Sequence, residues 1–200
     1  MKKSIITSVA LFAAMSFNAQ TNWKVDGSHS KLGFSVVHMM VAETEGKFKV
    51  YEGSVESKSE TDFNDAKINF TADVKSINTD DEKRDGHLKS PDFFDVEKFP
   101  SITFKATSMK ANPKKGATAY DLEGDLTIKG VTKKVKLFAI AASKVAKDPY
   151  GNTKFGFKVN GTISRKDFGL VWNAALETGG VAVSDEVILD LKIELNKAKV

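Results

Sequence analysis

The side chains that could carry out chemistry in this 200-residue chain are few and widely spaced. The three histidines are His29, His38 and His87, and three imidazoles are enough ligands for a catalytic zinc ion. His29 and His38, however, are nine positions apart in a stretch that reads as one strand. At about 3.3 Å per residue they would lie about 30 Å apart, and the odd separation puts them on opposite faces. The sequence therefore predicts no metal site.

Two short charged clusters are the remaining candidates for a polar site. One contains Arg84, Asp85 and His87, and the other contains Arg165 and Asp167. Because buried charges need partners, we interpret Arg84, Asp85, Arg165 and Asp167 as structural polar pairs that hold the chain together. The first cluster could also present donors to a phosphate, carbonyl or quinone oxygen. Within it, His87 is the residue that we expect to contact a ligand.

The motifs of the common enzyme classes are absent from the sequence. It contains no G-x-S-x-G elbow, H-E-x-x-H pair, G-x-x-x-x-G-K-[ST] loop or G-x-G-x-x-G fingerprint. The lack of cysteine excludes disulfides, thiolate metal sites and thiol nucleophiles. Asp85 and His87 are too close to Ser90 along one short helix to form a nucleophile, base and orienting group. We predict no catalytic residue and no metal.

The first nineteen residues read as an export signal. Lys2 and Lys3 precede an apolar run from Ile5 to Phe17, which has the charge order of a secretory signal and is too short for a comfortable membrane span. We predict a signal peptide over residues 1–19 and a periplasmic or secreted domain over residues 20–200. Two of the 30 basic residues lie in the signal, which leaves 28 against 26 acidic residues. This near balance argues against a nucleic-acid partner.

Alternation of apolar and polar residues with period two dominates the rest of the sequence. In the clearest early case, Leu32, Phe34, Val36 and His38 share one parity, which is typical of a half-buried strand. The same alternation recurs near residues 48–50, 68–74, 102–106, 120–122, 135–141, 155–163 and 187–195. Lys129-Gly130 places a glycine where a tight hairpin needs a positive φ, so neighbouring strands are expected to pair antiparallel.

Only one stretch carries helical signals. Thr79-Asp80-Asp81-Glu82 can form a capping box at the start of a short helix that ends near Leu88. Ser90-Pro91 repeats a helix-start signal, and Phe99-Pro100 returns the chain to an extended form. Closing a sheet of about eight antiparallel strands removes its exposed edges. We therefore predict an all-β fold, an eight-stranded antiparallel barrel with one short helical crossover.

The interior of an eight-stranded barrel is either just filled by side chains or holds one small ligand. Small inward residues such as Ala72 and Ala139 leave room for an apolar guest, although they could equally reflect tapering of the barrel. His38 should lie at the barrel mouth, where it could bind a ligand head group or cap loop carbonyls. The predicted ligand-binding set is Leu32, Phe34, Val36, His38, Ile68, Phe70, His87, Ile102, Phe104 and Phe157.

Several short segments, taken together and in order, resemble the YceI-like family. They are Trp23–Ser30, Gly46–Phe48, Ser76–Thr79, Arg84–Leu88, Asp92–Asp95 with Phe99-Pro100, Gly124–Thr132 and Arg165–Gly169. The resemblance covers roughly residues 23–195. It implies a lipocalin-like barrel, usually periplasmic in bacteria, that binds a polyisoprenoid or another long-chain amphiphile such as an isoprenoid quinone.

The function that these observations favour is that of an exported, non-enzymatic carrier. Its partner would be a long-chain amphiphilic lipid held in the barrel interior, with transient membrane contact, no nucleic acid and no cofactor besides the bound lipid. Two alternatives remain open at this point. One is a small hydrolase or metal-dependent enzyme at the barrel mouth, and the other is a packed structural or interaction domain without a ligand. Whether two barrels associate as a homodimer is also open.

Overall fold

The computed structural model describes residues 20–175 and 179–199, so the predicted signal peptide lies outside the described residues. This part of the chain contains twelve strands, the helix α1 (Glu82–Lys89) and two short 3-10 helices, Val74–Ser76 and Arg165–Phe168. The strands are β1 (Thr21–Val25), β2 (Lys31–His38), β3 (Ala42–Phe48), β4 (Tyr51–Ser57), β5 (Lys67–Asp73), β6 (Ile77–Asn78), β7 (Ser101–Ala111), β8 (Ala119–Ile128), β9 (Val131–Ala141), β10 (Ala146–Lys147), β11 (Thr153–Ser164) and β12 (Val183–Lys197).

These strands build an eight-stranded antiparallel barrel, as the sequence predicts. Three barrel strands are interrupted and therefore count twice: β1 continues into β2, β3 into β4, and β5 into β6. The long β12 shows this directly, because Val25 of β1 and Phe34 of β2 both pair with it, opposite Leu195 and Leu189. On its other side β12 pairs with β11 from Glu186 to Asn196, and this pairing closes the barrel. The short β10 pairs with β11.

Local turn chemistry explains much of this strand order. The predicted tight hairpin at Lys129-Gly130 is confirmed: it joins β8 to β9, and both residues have positive φ, 49° and 76°. A second tight turn, between β2 and β3, has Met39 and Met40 at φ 50° and 63°. Bulky side chains rarely adopt this left-handed conformation, which glycine and asparagine favour. The turn therefore holds two methionines where the backbone alone would favour other residues.

The crossover helix is confirmed, but its predicted start is wrong. Asp81, two residues after Thr79, is the N-cap, and its carboxylate accepts a hydrogen bond from the Arg84 backbone N–H at 3.0 Å. The Thr79 hydroxyl is engaged elsewhere, because it donates to the Asp85 carboxylate at 2.6 Å. Ser90 starts no second helix; its backbone N–H closes the last turn of α1 on the His87 carbonyl at 3.1 Å. Residues 91–94 form turns.

The prediction that His29 and His38 share one strand is also wrong. His29 lies in the turn that separates β1 from β2, where the backbone N–H of Ser28 donates to the Asp26 carboxylate at 3.0 Å. This local Asx-type bond offers the chain an alternative to the strand ladder, and the strand breaks there. His38, in contrast, ends β2 as predicted.

The two ends of the barrel are built differently. At one end, which we call the floor, Trp23, Phe63 and Phe155 pack with ring centroids 4.9–6.2 Å apart. Trp23 and Phe63 are fully buried, and the indole N–H of Trp23 donates to the Ser57 hydroxyl at 2.9 Å. At the other end, the mouth, α1, the β2–β3 turn, residues 165–172 and the start of β12 converge. The floor closes the barrel with packed aromatic rings.

Candidate functional site

A cavity of about 580 Å³ occupies the barrel between the floor and the mouth. Its wall consists mainly of aliphatic and aromatic side chains contributed by strands all around the barrel. The interior is therefore not filled by side chains, and the alternative of a packed domain without a cavity is wrong. All ten residues of the predicted ligand-binding set line this cavity: Leu32, Phe34, Val36, His38, Ile68, Phe70, His87, Ile102, Phe104 and Phe157. Their contact with a ligand remains a prediction.

Glycines in neighbouring strands explain how large inward side chains leave this space open. Gly46 pairs directly with Phe34 across β3 and β2, and the phenyl ring lies over the position where a Cβ would stand. Gly53 and Phe70 form the same arrangement between β4 and β5. Because these rings lie against the wall, they do not project across the barrel. This feature was not predicted from the sequence, although glycine inside a strand is a signal of close approach.

The ionisable groups of the cavity wall lie at the mouth. His38 ends β2, Lys83, Arg84 and His87 come from α1, and Arg165 begins the 3-10 helix after β11. All five side chains are bases, and the described part of the wall contains no Asp or Glu. The cavity thus has an apolar body and one polar end, as in many ligand pockets.

Arg84 and Asp85 meet through Thr79 at the mouth. One Asp85 oxygen accepts hydrogen bonds from the Thr79 backbone N–H and hydroxyl, at 2.8 and 2.6 Å. The Thr79 hydroxyl in turn accepts from Arg84 Nε at 2.8 Å, and Arg84 Nη2 donates to the Thr79 carbonyl at 2.7 Å. Thr79 and Asp85 are buried. This linkage ties α1 to the end of β6.

Arg165 and Asp167, both interpreted from the sequence as structural polar residues, lie in different surroundings. The Arg165 side chain is 4% exposed and turns inward, whereas Asp167 is exposed on the outer side of the same short helix. The acidic partner of Arg165 is Asp185, at 3.3 Å. Burial lowers the pKa of the guanidinium, and the Asp185 carboxylate acts in the opposite direction. The carbonyls that accept from Arg165 belong to Ser184, Leu170, Trp172 and Val183, at 2.5–3.3 Å.

His87 is held between an acid and two aromatic rings. Its Nε2 lies 3.1 Å from an Asp92 oxygen, and its ring meets Phe93 and Trp172 edge-on, at centroid distances of 5.0 and 4.8 Å. Since a carboxylate can only accept, Nε2 carries the proton and Nδ1 remains for another partner. Asp85 bonds to Thr79 rather than to His87, so Asp85, His87 and Ser90 do not form one hydrogen-bonded set. Phe93 and Trp172 also line the cavity, and neither was predicted from the sequence.

A second polar cluster surrounds the break between β1 and β2, away from the cavity wall. Asp26, His29 and Glu194 offer ligand atoms within 4.8 Å of one another, as a metal site would require. The ammonium of Lys154, however, lies 2.9 Å from Asp26 and 2.8 Å from Glu194, and it supplies the positive charge that a metal ion would bring. This hydrogen bond holds the pKa of Asp26 far below its usual range and raises that of Lys154. His29 belongs to this cluster, whereas His38 and His87 line the cavity.

Within residues 20–175 and 179–199, no helix has the length and apolar character needed to cross a membrane.

Comparisons with known proteins agree with this architecture. A UPF0312 protein of Staphylococcus aureus strain N315 is 39% identical over 177 residues, which covers 88% of this chain and 98% of that protein. The crystal structure of BcnA from Burkholderia cenocepacia is similar with a TM-score of 0.71 and 25% identity, over 85% of this chain and 98% of BcnA. The YCEI protein of Campylobacter jejuni follows with a TM-score of 0.68 and 26% identity, over 97% and 100% of the two chains. The family model for the YceI-like domain matches residues 23–195, and the chain therefore belongs to the YceI-like family.

Proposed function

We propose that the protein is an exported carrier that holds one long-chain amphiphile, such as a polyisoprenoid, inside the barrel. The observation that carries this proposal is the apolar cavity of about 580 Å³, closed by aromatic rings at the floor and bordered by polar groups at the mouth. A further solved structure with this fold, from Saccharophagus degradans, is described as a polyisoprenoid binding domain. It is 15% identical to this chain and contributes support for the fold alone.

The size of the cavity fits a chain of intermediate length. A water molecule occupies about 30 Å³ in the liquid, and a methylene group is of similar size, so the cavity holds roughly twenty such groups. Burial of about fifteen methylenes would contribute ~12 kcal/mol at ~0.8 kcal/mol each. Association costs of at least ~4 kcal/mol reduce this to a dissociation constant in the micromolar range. A longer isoprenoid would leave part of its chain at the mouth.

We also propose that the mouth contacts a lipid bilayer when the ligand enters or leaves. The tip residues Met39, Met40 and Val41 between β2 and β3 are 45%, 68% and 85% exposed. The backbone N–H of Met39 donates to the carbonyl of Ala182 at 2.9 Å, and Ala182 lines the cavity. The tip is thus continuous with the mouth. A hydrocarbon chain that moves between a bilayer and the cavity along this route would avoid water.

Mass spectrometry of the protein purified after export from its native host tests the carrier function. Under native conditions we expect an added mass that corresponds to one amphiphile per barrel, and organic extraction should release a molecule with at least one long hydrocarbon or isoprenoid chain. Protein stripped by unfolding and then refolded should regain that mass when the extract is returned. Bare protein in the native spectrum that also fails to bind the returned extract would contradict the proposal.

A further inference from the structure

The ionisable side chains that line the cavity are all bases, and the acids that pair with two of them, Asp92 with His87 and Asp185 with Arg165, are not part of the lining. His38, Lys83, Arg84, His87 and Arg165 line the wall, and the described lining contains no carboxylate. Of these bases, Lys83 and Arg84 form no ion pair with a described residue, whereas His87 and Arg165 do. Lys83 and Arg84 are exposed at the mouth, and the apolar wall beside them favours an anion that is partly withdrawn from water.

The two arginines of the wall differ in what they have left to donate. Each guanidinium has five N–H groups. Arg165 uses its group on four backbone carbonyls and on Asp185, so it is fully occupied in holding Leu170 and Trp172 to the start of β12. Arg84 donates from Nε and Nη2 to Thr79, and the other three N–H groups have no partner among the described residues.

The Arg84 guanidinium is also held in place by a buried support. Asp85 accepts twice from Thr79, and the Thr79 hydroxyl accepts from Arg84, so the guanidinium is fixed on one side while its remaining donors face away from Thr79. Lys83, the preceding residue of α1, adds a second positive charge to the same part of the mouth. An oriented guanidinium with free donors is suited to two-point binding of a carboxylate or a phosphate.

We propose that the amphiphile carries an anionic head group, a carboxylate or a phosphate, and that Arg84 binds it at the mouth, with Lys83 as a secondary contact. This inference rests on the proposed carrier function and adds the class of ligand to it. The apolar chain would fill the barrel toward the floor, while the head group stays at the end where the bases lie. Arg84 thereby has two roles, since it both links α1 to β6 and binds the ligand.

Displacement of a neutral fluorescent probe, N-phenylnaphthylamine, from the refolded, lipid-free protein tests the head group separately from the chain. Two matched pairs are compared: hexadecanoic acid with its methyl ester, and geranylgeranyl phosphate with geranylgeraniol. We expect at least one anion to displace the probe at about tenfold lower concentration than its neutral partner, which is the effect of a charge-assisted hydrogen bond. The pair with the larger ratio identifies the head group as a carboxylate or a phosphate.

Substitutions in α1 test whether Arg84 causes the preference for the anionic compound. Arg84→Gln should abolish the preference for the anion, measured as the ratio within each pair, and Arg84→Lys should restore part of it. The control is Lys89→Gln, which removes the same charge from the same helix at a residue outside the cavity wall. Equal displacement by acid and ester, and by phosphate and alcohol, would overturn the head-group inference but leave the carrier function intact. Failure of the probe and of all four compounds to bind would overturn both.

Discussion

Lys154 supplies the positive charge of the polar cluster at the break between β1 and β2. Its ammonium lies between the carboxylates of Asp26 and Glu194, and the amide of Asn196 donates to the same Asp26 oxygen at 3.1 Å. The three charged side chains are 12–32% exposed, so solvent screens them less than it would a surface pair. The cluster joins the β1–β2 turn to β11 and β12 and stabilises the place where the first barrel strand is interrupted.

Replacing Asp26 by Asn should change how stability depends on pH. Because the folded-state pKa of Asp26 is depressed, its contribution is present above the unfolded pKa of about 3.9 and is lost as the pH falls toward the folded pKa. The Asp26→Asn variant should lose about 1.5–3 kcal/mol of unfolding free energy near neutral pH and show a shallower loss on acidification. Urea unfolding at a series of acidic and neutral pH values measures both. If the unmodified protein and the Asp26→Asn variant lost the same stability on acidification, Asp26 would not be a source of the acid sensitivity.

An exposed ion pair provides the control for this prediction. Lys67 and Glu56 lie 2.8 Å apart on neighbouring strands, and the lysine is 68% exposed. Glu56→Gln should change the unfolding free energy by less than about 1 kcal/mol, because solvent screens such a pair. A loss as large as that of Asp26→Asn would show that the effect is not particular to the buried cluster.

The face of the sheet on which a residue lies was easier to predict from the sequence than the residues that it contacts. Parity along β2 was enough to place Leu32, Phe34, Val36 and His38 on the cavity wall. The partners of Arg165 could not be read in the same way, because its carbonyls and Asp185 come from residues 5–20 positions away, partly in an irregular stretch and partly at the start of β12. The Thr79 hydroxyl likewise had two options, and tertiary contact with Asp85 prevailed over local capping.

At the scale of the strand, the register of β2 can be tested by two adjacent substitutions. Val36 lines the cavity and Val37 is exposed on the outer face. Val36→Trp should lower ligand retention and destabilise the protein by less than the ~1–3 kcal/mol typical of overpacking, because the ring enters a cavity. Val37→Trp should leave retention unchanged. Extraction with mass spectrometry and thermal unfolding measure the two effects, and loss of ligand in Val37→Trp alone would show that the register is shifted by one.

Membrane contact through the β2–β3 turn can be tested by placing a charge at its tip. Met40→Asp and Val41→Asp should each lower the bound fraction in flotation with neutral phosphatidylcholine vesicles by about tenfold, since a buried apolar side chain contributes ~1.5–3 kcal/mol. Added salt should have little effect, because the proposed contact is apolar rather than ionic. Tyr150→Asp is the control: Tyr150 is 88% exposed in the turn before β11, at the floor end. Equal losses in all three variants would rule out docking through the tip.

Strands with a clear period of two were predictable, and interruptions within strands were not. The sequence indicated about eight strands because each barrel strand has one buried and one exposed face. The breaks near Asp26, Lys49 and Val74 arise where side-chain bonds compete with the ladder, as when the Ser76 hydroxyl accepts from the Lys49 N–H at 3.1 Å. Ser76 and Lys49 are far apart in the chain, and a local pattern carries no sign of this bond.

For the whole molecule, the closed floor predicts a limit on chain length. In a homologous series of unbranched fatty acids, affinity should rise about fourfold per methylene, which corresponds to ~0.8 kcal/mol each. The rise should end near twenty carbon atoms, the number that the cavity accommodates at about 30 Å³ per group. Probe displacement across the series measures the break point. An undiminished rise well beyond twenty carbons would mean that the floor opens.

The volume of the cavity depends on two glycines of the wall, which have no Cβ atom. Gly46 and Gly53 allow the rings of Phe34 and Phe70 to lie flat, so a single methyl group at either position would force a ring toward the barrel axis. Capacity can thus be altered one substitution at a time while every strand pairing is kept. We expect substitution at Gly46 or Gly53 alone to favour a shorter guest molecule.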